Sequence, residues 1–183
     1  LGAALPSISV LNLLRSQSMD GVNFYQPSLV LRALNEAFQM DHQNDKFFTI
    51  WYGVYNQVKR SLIYSSAGHP PAILLSKSAQ GEVQAKQLRT SSMPIGMLPD
   101  TRFVNQHCEI AASSTLYVFS DGIYEIIQPD GNVWGLEAFI ELLLNDRKKI
   151  DRLGLDYILD YIKTYNPKDA LDDDLSLLRV SFT

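Results

Sequence analysis

Ala4, Ile8, Leu11 and Leu14 recur at helical spacing and predict a helix from about Ala3 to Ser16. Pro6 is tolerable there because it falls in the first turn. Gly21 to Gln26 is a connection, and Pro27 then stands where a second helix starts, with Leu31, Leu34 and Phe38 along one face. Asp41 to Asp45 is a polar turn. The period then changes from helical to alternating. Lys46 to Tyr55 is rich in aromatic and β-branched residues and predicts a strand. After a turn at Asn56 to Arg60, Ser61 to Ser66 predicts the second arm of an antiparallel hairpin. Ala72 to Ser76 predicts a third strand, Lys77 to Gly81 a polar turn and Glu82 to Leu88 a fourth strand. Phe103 to Ile110 and Thr115 to Phe119 predict two more, both expected in central positions. Glu137 to Leu144 predicts a helix, followed by a basic turn at Arg147 to Lys149. Leu155, Ile158, Leu159 and Ile162 line one side of an amphipathic helix over Asp151 to Tyr165, stopped by Pro167. Leu175 to Phe182 predicts a last strand.

Two helices, a run of strands, two helices and a strand indicate an α+β domain built on antiparallel sheet. A length of 183 residues suits a single domain over 1–183, and hydrophobic and charged shares of 46% and 20% are those of an ordinary globular chain. The net charge of -4 argues against nucleic acid or an anionic membrane surface as main partner, since both select a basic face. No apolar run approaches the roughly 20 residues of a membrane span. No signal peptide is visible, and the opening Leu-Gly-Ala-Ala-Leu reads as though cut from a longer polypeptide. Cys108 alone cannot form an internal disulfide, and its surroundings predict a structural thiol near a strand end.

Two carboxylate sites stand out. Ser120-Asp121-Gly122 follows the apolar strand Leu116 to Phe119, so Asp121 is expected at the sheet's rim, with Gly122 allowing a sharp turn and close approach. Asp172, Asp173 and Asp174 directly precede the strand beginning at Leu175. If those two strands pair antiparallel, the end of one lies beside the start of the other, and Asp121 and Asp173 converge across fifty-two positions of sequence. Converging carboxylates repel unless a cation compensates them. Oxygen-only ligands suit hard ions such as Mg²⁺ or Mn²⁺. His42, His69 and His107 are scattered and give no zinc spacing. The plainer alternative is that Asp-Gly is an ordinary turn and the Asp run a solvated loop or edge protection. Ser65 to Ala72 contains Gly68-His69-Pro70-Pro71, a stiff turn in which Gly68 takes a positive φ and His69 bonds backbone.

Together, Ser-Ala-Gly-His-Pro-Pro-Ala (66 to 72), Phe-Ser-Asp-Gly-Ile-Tyr-Glu (119 to 125) and Asp-Asp-Leu-Ser-Leu-Leu (173 to 178) occur in the order of one family. With Pro94-Ile95-Gly96-Met97, Asn132 to Leu136 and the helix opening Gly2-Ala3-Ala4-Leu5, the chain resembles bacterial PPM-type (SpoIIE/RsbU-like) protein phosphatases of sporulation and stress signalling. The resemblance implies two antiparallel sheets in a sandwich flanked by helices, and a binuclear Mn²⁺ or Mg²⁺ centre. It implies hydrolysis of phosphoserine or phosphothreonine on a protein, with a metal-activated water, not a side chain, as nucleophile. Asp121 and Asp173 map to metal ligands, Asp174 adjoins, and Gly122 and His69 belong to the surrounding loops. The implied substrate is a phosphorylated anti-sigma antagonist, the implied setting cytoplasmic, with an upstream sensor or receiver domain and compatibility with a homodimer. Ser66 stands where the family more often has Asn; both can bond a turn backbone. The family's two earlier acidic motifs do not occur in this sequence. Either those ligands precede Leu1 in a longer polypeptide, or the chain is inactive. A catalytically inactive partner-binding module and a structural α+β domain are the alternatives.

Overall fold

In chain order the elements are α1 (Ala4–Ser16), α2 (Pro27–Ala37), β1 (Ile50–Asn56), β2 (Ser61–Ala67), β3 (Ala72–Lys77), β4 (Val83–Leu88), β5 (Gln106–Glu109), β6 (Ser114–Phe119), α3 (Gly135–Asn145), α4 (Arg147–Leu153), α5 (Leu155–Lys163) and β7 (Leu177–Phe182). They come from a computed structural model that describes residues 4–39, 47–128, 130–164 and 175–183. The α+β class holds: two antiparallel sheets are accompanied by helices. The chain divides into two compact units, one of Leu1–His69 with Arg89–Glu109, the other of Pro70–Leu88 with Ile110–Thr183. Among the described residues no helix is long and apolar enough to cross a membrane.

The first unit is built on the sheet β1-β2-β5. β1 and β2 form the expected antiparallel hairpin, with Ile50 opposite Ala67 and Asn56 opposite Ser61. Helix α2 begins on Pro27 and buries Val30, Leu31 and Leu34 in a core shared with Val10, Phe38, Ala67, Ile95 and Phe103. Each such side chain contributes about 1.5–3 kcal/mol by leaving water, and this apolar stripe, not helix propensity, holds α2 in place.

Two polar residues fasten the 89–109 segment to α2. Asn105 Oδ1 accepts the Ser28 N–H (2.8 Å), and its Nδ2 donates to Gln26 Oε1 (2.8 Å), so a residue far along the chain does the work of a helix N-cap. Asn35, 1% exposed, accepts the Gly96 N–H (2.8 Å) and donates to the carbonyls of Leu98 (3.0 Å) and Pro99 (2.9 Å).

β5 corrects an expectation. The strand over Phe103 to Ile110 shortens to Gln106–Glu109 and lies at the edge of its sheet, paired with β2 alone among the described strands. Phe103 is drawn into the helix-facing core and Asn105 is committed to α2, so neither is available for pairing. Gln106, His107 and Glu109 are exposed, as suits an edge, while Cys108 is buried as expected of a structural thiol. The first strand is shorter too: Phe48 makes only an isolated bridge to Ile95, and Lys46 lies outside the described residues.

The second unit is built on the sheet β4-β3-β6-β7, antiparallel throughout. Ile73 and Leu75 of β3 and Tyr117 and Phe119 of β6 share one face by strand alternation. On it pack Phe139, Leu142 and Leu143 of α3, Ile150 of α4, and Ile158 and Ile162 of α5. The Phe119 and Phe139 rings meet edge to face at 4.8 Å.

Here a second expectation fails. The basic residues 147–149 do not form a turn but open helix α4, and the helix foreseen over Asp151 to Tyr165 is split at Gly154, with Tyr165 and Pro167 outside the described residues. Gly154 has φ 77°, a conformation costly for other residues, and this ends α4 before α5 begins. Two of the three basic residues, Arg147 and Lys149, face carboxylates. Arg147 pairs with Asp151 (3.7 Å), and Arg179 of β7 bonds the same carboxylate.

Asp146, Lys149 and Tyr157 clamp the α3–α4 junction to α5. Lys149 Nζ lies 2.8 Å from Asp146 Oδ1, and the Tyr157 hydroxyl donates to Asp146 Oδ2. The bonds from Lys149 and then Tyr157 hold the Asp146 carboxyl below its usual range, while Asp146 and then Tyr157 raise Lys149. A depressed Asp contributes stability that is present above its unfolded pKa and lost as pH falls through the folded value. A raised Lys contributes stability that is present below its unfolded pKa and lost as pH rises through the folded value. The clamp is therefore expected to be complete between roughly pH 4 and 10.5 and to weaken outside that window. Melting temperatures of Asp146→Asn and wild type should converge at the acid end; a constant difference down to low pH would refute the clamp.

Candidate functional site

The exit of β6 and the start of β7 lie side by side. Their antiparallel register sets Phe119 opposite Leu177, and the ladder continues one step further. The Ser120 N–H donates to the Ser176 carbonyl (3.0 Å), and the Ser176 N–H donates to Ser120 Oγ (2.9 Å). The serine before Asp121 thus locks the two chain segments together. The antiparallel pairing on which the two-carboxylate expectation depends is present. Asp173 and Asp174 themselves lie outside the described residues.

Asp121 is the first residue of a 3-10 turn, Asp121–Ile123. Its carbonyl accepts the N–H groups of Tyr124 and Glu125 (2.9 Å each), and its carboxylate accepts the Gly122 N–H (3.1 Å). Buried Phe119 on one side and buried Ile123 on the other pin the backbone, so the exposed carboxylate is presented at the rim from a fixed base. No Lys or Arg pairs with it among the described residues. The φ of Gly122 is not in the left-handed region. Burial raises the neighbouring Tyr124 hydroxyl above its ordinary range, with Glu125 and Asp121 adding to it.

The chain after Tyr124 forms a small hairpin. Gly135 N–H donates to Tyr124 O (2.8 Å), Trp134 N–H to Ile126 O (2.9 Å) and Gln128 N–H to Asn132 O (2.8 Å), with Ile127 bridged to Val133. Asp130 accepts the backbone and side-chain N–H groups of Asn132, which hold its carboxyl below the usual range. Ile126 is buried and Trp134 half-buried, the latter packing against the α3 and α5 core.

His69 lies two residues beyond β2, half-buried, in the first unit, whereas Asp121 belongs to the second. Gly68 takes the expected positive φ of 65°, and a Cβ there would stand 2.6 Å from Pro94 Cγ. Its N–H donates to Ser92 O (3.2 Å). Ser66 does bond backbone as foreseen: its Oγ donates to Thr90 O (2.9 Å), and its N–H donates to Thr90 Oγ1 (2.8 Å). Asn35, Asn105 and Thr90 went unnoticed in the sequence. Asn35 alone carried a signal, as a polar residue on the apolar face of a predicted helix.

Asp121 fits a hard divalent cation: an exposed, rigidly based carboxylate at a sheet end, with no protein cation against it. Among the described residues, no three His, Cys, Asp or Glu side chains gather into a complete ligand set.

The family model for Stage II sporulation protein E (SpoIIE) matches residues 1–183. Phosphoserine phosphatase RsbU of Bacillus subtilis is 25% identical over 133 residues, 72% of this chain and 38% of that protein. The chain spans less than two fifths of the length of the curated relatives it matches. Among solved structures, the SiaA-PP2C domain of Pseudomonas aeruginosa superposes with TM-score 0.78 at 17% identity, over 98% of this chain and 69% of that one. The SpoIIE phosphatase domain of Bacillus subtilis, presoaked with Mn, superposes with TM-score 0.56 at 13% identity, over 94% and 73%. At these identities the structural likeness establishes the fold.

Proposed function

The chain belongs to the Stage II sporulation protein E (SpoIIE) family, and on that premise we propose that it is the metal-dependent phosphatase domain of a signalling protein. The reaction is hydrolysis of phosphoserine or phosphothreonine on a regulatory protein of the anti-sigma antagonist type. A single domain over residues 1–183 is supported by the span of the family model. The observation that carries the reading is the β6–β7 register: Ser120, the residue before Asp121, bonds Ser176, and Asp173 and Asp174 precede that segment in sequence.

Asp121 and Asp173, with Asp174 adjoining, are the residues of this chain that would hold Mn²⁺ or Mg²⁺. The ion supplies charge neutralisation at the phosphoryl oxygens and a lowered water pKa. What the chain's own residues do is hold anionic oxygens at fixed positions: Phe119 and Ile123 anchor the Asp121 turn, and the Ser120–Ser176 bonds keep the two segments in register. The resemblance implies further acidic ligands beyond these, and an accompanying sensor or receiver domain. Gly122 is proposed as a loop residue beside Asp121, and His69 as a loop residue of the first unit, neither as a ligand. A cytoplasmic location and homodimerisation complete the proposal.

The test is Mn²⁺-dependent release of phosphate from p-nitrophenyl phosphate, measured on residues 1–183 and on the full-length gene product, with melting temperature followed in the same titration. Activity lost on chelation and a rise in melting temperature are expected. A full-length protein with neither would leave the second reading, a phosphatase-like module that docks a partner without catalysis. That reading is motivated by the absence of the two upstream acidic motifs from this sequence.

A further inference from the structure

In a half-buried hairpin the outward positions are ordinarily polar. The 126–134 hairpin breaks this rule on both arms. Ile126 points into the core and Trp134 packs against it, yet the next residues outward, Ile127 and Val133, are 63% and 57% exposed and bridged to each other. Two β-branched side chains thus stand together in solvent on a rigid support. The support is continuous with the candidate site: Tyr124, whose carbonyl closes the base of the hairpin, itself bonds the Asp121 carbonyl. From Asp121 to Ile127 the chain runs through one 3-10 turn and a few further residues, at most about 16 Å even with those residues counted at full strand rise. An extended peptide covers that distance in roughly five residues.

The stretch of sequence that carries this apolar pair has charge of one sign. Glu125 and Asp130 are exposed on either side of it, and no Lys or Arg occurs from residue 103 through residue 146. With Asp121 assigned to a cation, Glu125 and Asp130 remain as carboxylates with no ion-pair partner among the described residues. Such a surface repels an acidic partner and favours one that brings an apolar side chain flanked by positive charge.

We infer that the 126–134 hairpin is a docking ridge for the phosphoprotein substrate, seating an apolar side chain on Ile127 and Val133 and basic side chains against Glu125 and Asp130. The identity of the partner as a phosphoprotein rests on the phosphatase reading; the ridge itself does not.

The experiment measures binding of a short fluorescent phosphoserine peptide that carries leucine and lysine roughly five residues from the phosphoserine, by anisotropy without metal. Ile127→Ser combined with Val133→Ser is expected to raise Kd roughly tenfold. Glu125→Lys should weaken the same peptide and strengthen a matched one with glutamates in place of lysines, a reversal that misfolding cannot imitate. Three results would overturn the inference. In the first, wild type binds neither peptide; in the second, all proteins bind alike. In the third, the double variant changes molar mass in solution and leaves peptide affinity untouched, marking a contact between copies. Wild-type hydrolysis of p-nitrophenyl phosphate with Mn²⁺ is measured alongside. Hairpin-dependent binding without hydrolysis keeps the ridge and removes the phosphatase reading. Hydrolysis with hairpin-independent binding does the reverse.

Discussion

If Asp121 is the metal ligand proposed above, Asp121→Asn is expected to lower Mn²⁺-dependent phosphate release by at least about a hundredfold, because losing a direct anionic ligand costs more than the upper range seen when only a ligand's neighbours are lost. The substitution keeps the shape of the side chain and the acceptor for the Gly122 N–H, and removes the charge. Since Asp121 is exposed and opposed by no Lys or Arg among the described residues, the metal-free protein should keep its stability to within about 0.5 kcal/mol. The two forms should separate only when metal is added. At a hundredfold excess over Kd, wild type gains about 2.7 kcal/mol by linkage, and the variant gains little. Calorimetric melting with and without Mn²⁺ reads this directly. A variant that responds to Mn²⁺ as wild type does takes Asp121 out of the metal site, and the two-carboxylate reading with it.

The largest expected effect on stability lies elsewhere, at Asn35. Asn35→Ala removes three hydrogen bonds at once and leaves the Gly96 N–H buried without its acceptor. The carbonyls of Leu98 and Pro99, on exposed residues, can turn to water; the Gly96 amide, in a buried residue, cannot. The cost is about 2–3 kcal/mol, or roughly 4–12 °C in melting temperature for a chain of this size. Asn35→Asp should be worse, since a carboxylate can accept from Gly96 but faces two carbonyl oxygens with no proton to donate. The comparison tests the mechanism: if Asp and Ala destabilise equally, or Asp less, the bonds to Leu98 and Pro99 do not matter.

Much of this molecule is written locally. The stripe Leu31, Leu34 and Phe38, the apolar runs of β2, β3 and β6, and the polar turn before Glu82 all depend on residues a few positions apart, and each element appears where the sequence puts it. The Gly68 turn was legible for the same reason, because a positive φ is a property of one residue and its neighbours. The error at α4 was also local. Three basic residues in a row look like a solvated turn until Asp146, just before them, and Asp151, one turn on, are seen to pair with Lys149 and Arg147, and Gly154 carried the true boundary unnoticed.

The sequence alone determined the kinds of elements, their order and the residue type at the rim of β6, because periodicity, turn chemistry and oxygen-ligand preference act within a few residues. Tertiary structure decided which strand is an edge, which asparagines hold α2, and that β7 returns beside β6 so that Ser120 meets Ser176. Those outcomes are contacts between segments tens of residues apart. Loop closure and the burial of shared apolar surface choose among them only when the whole chain folds, and no short window of sequence carries that choice.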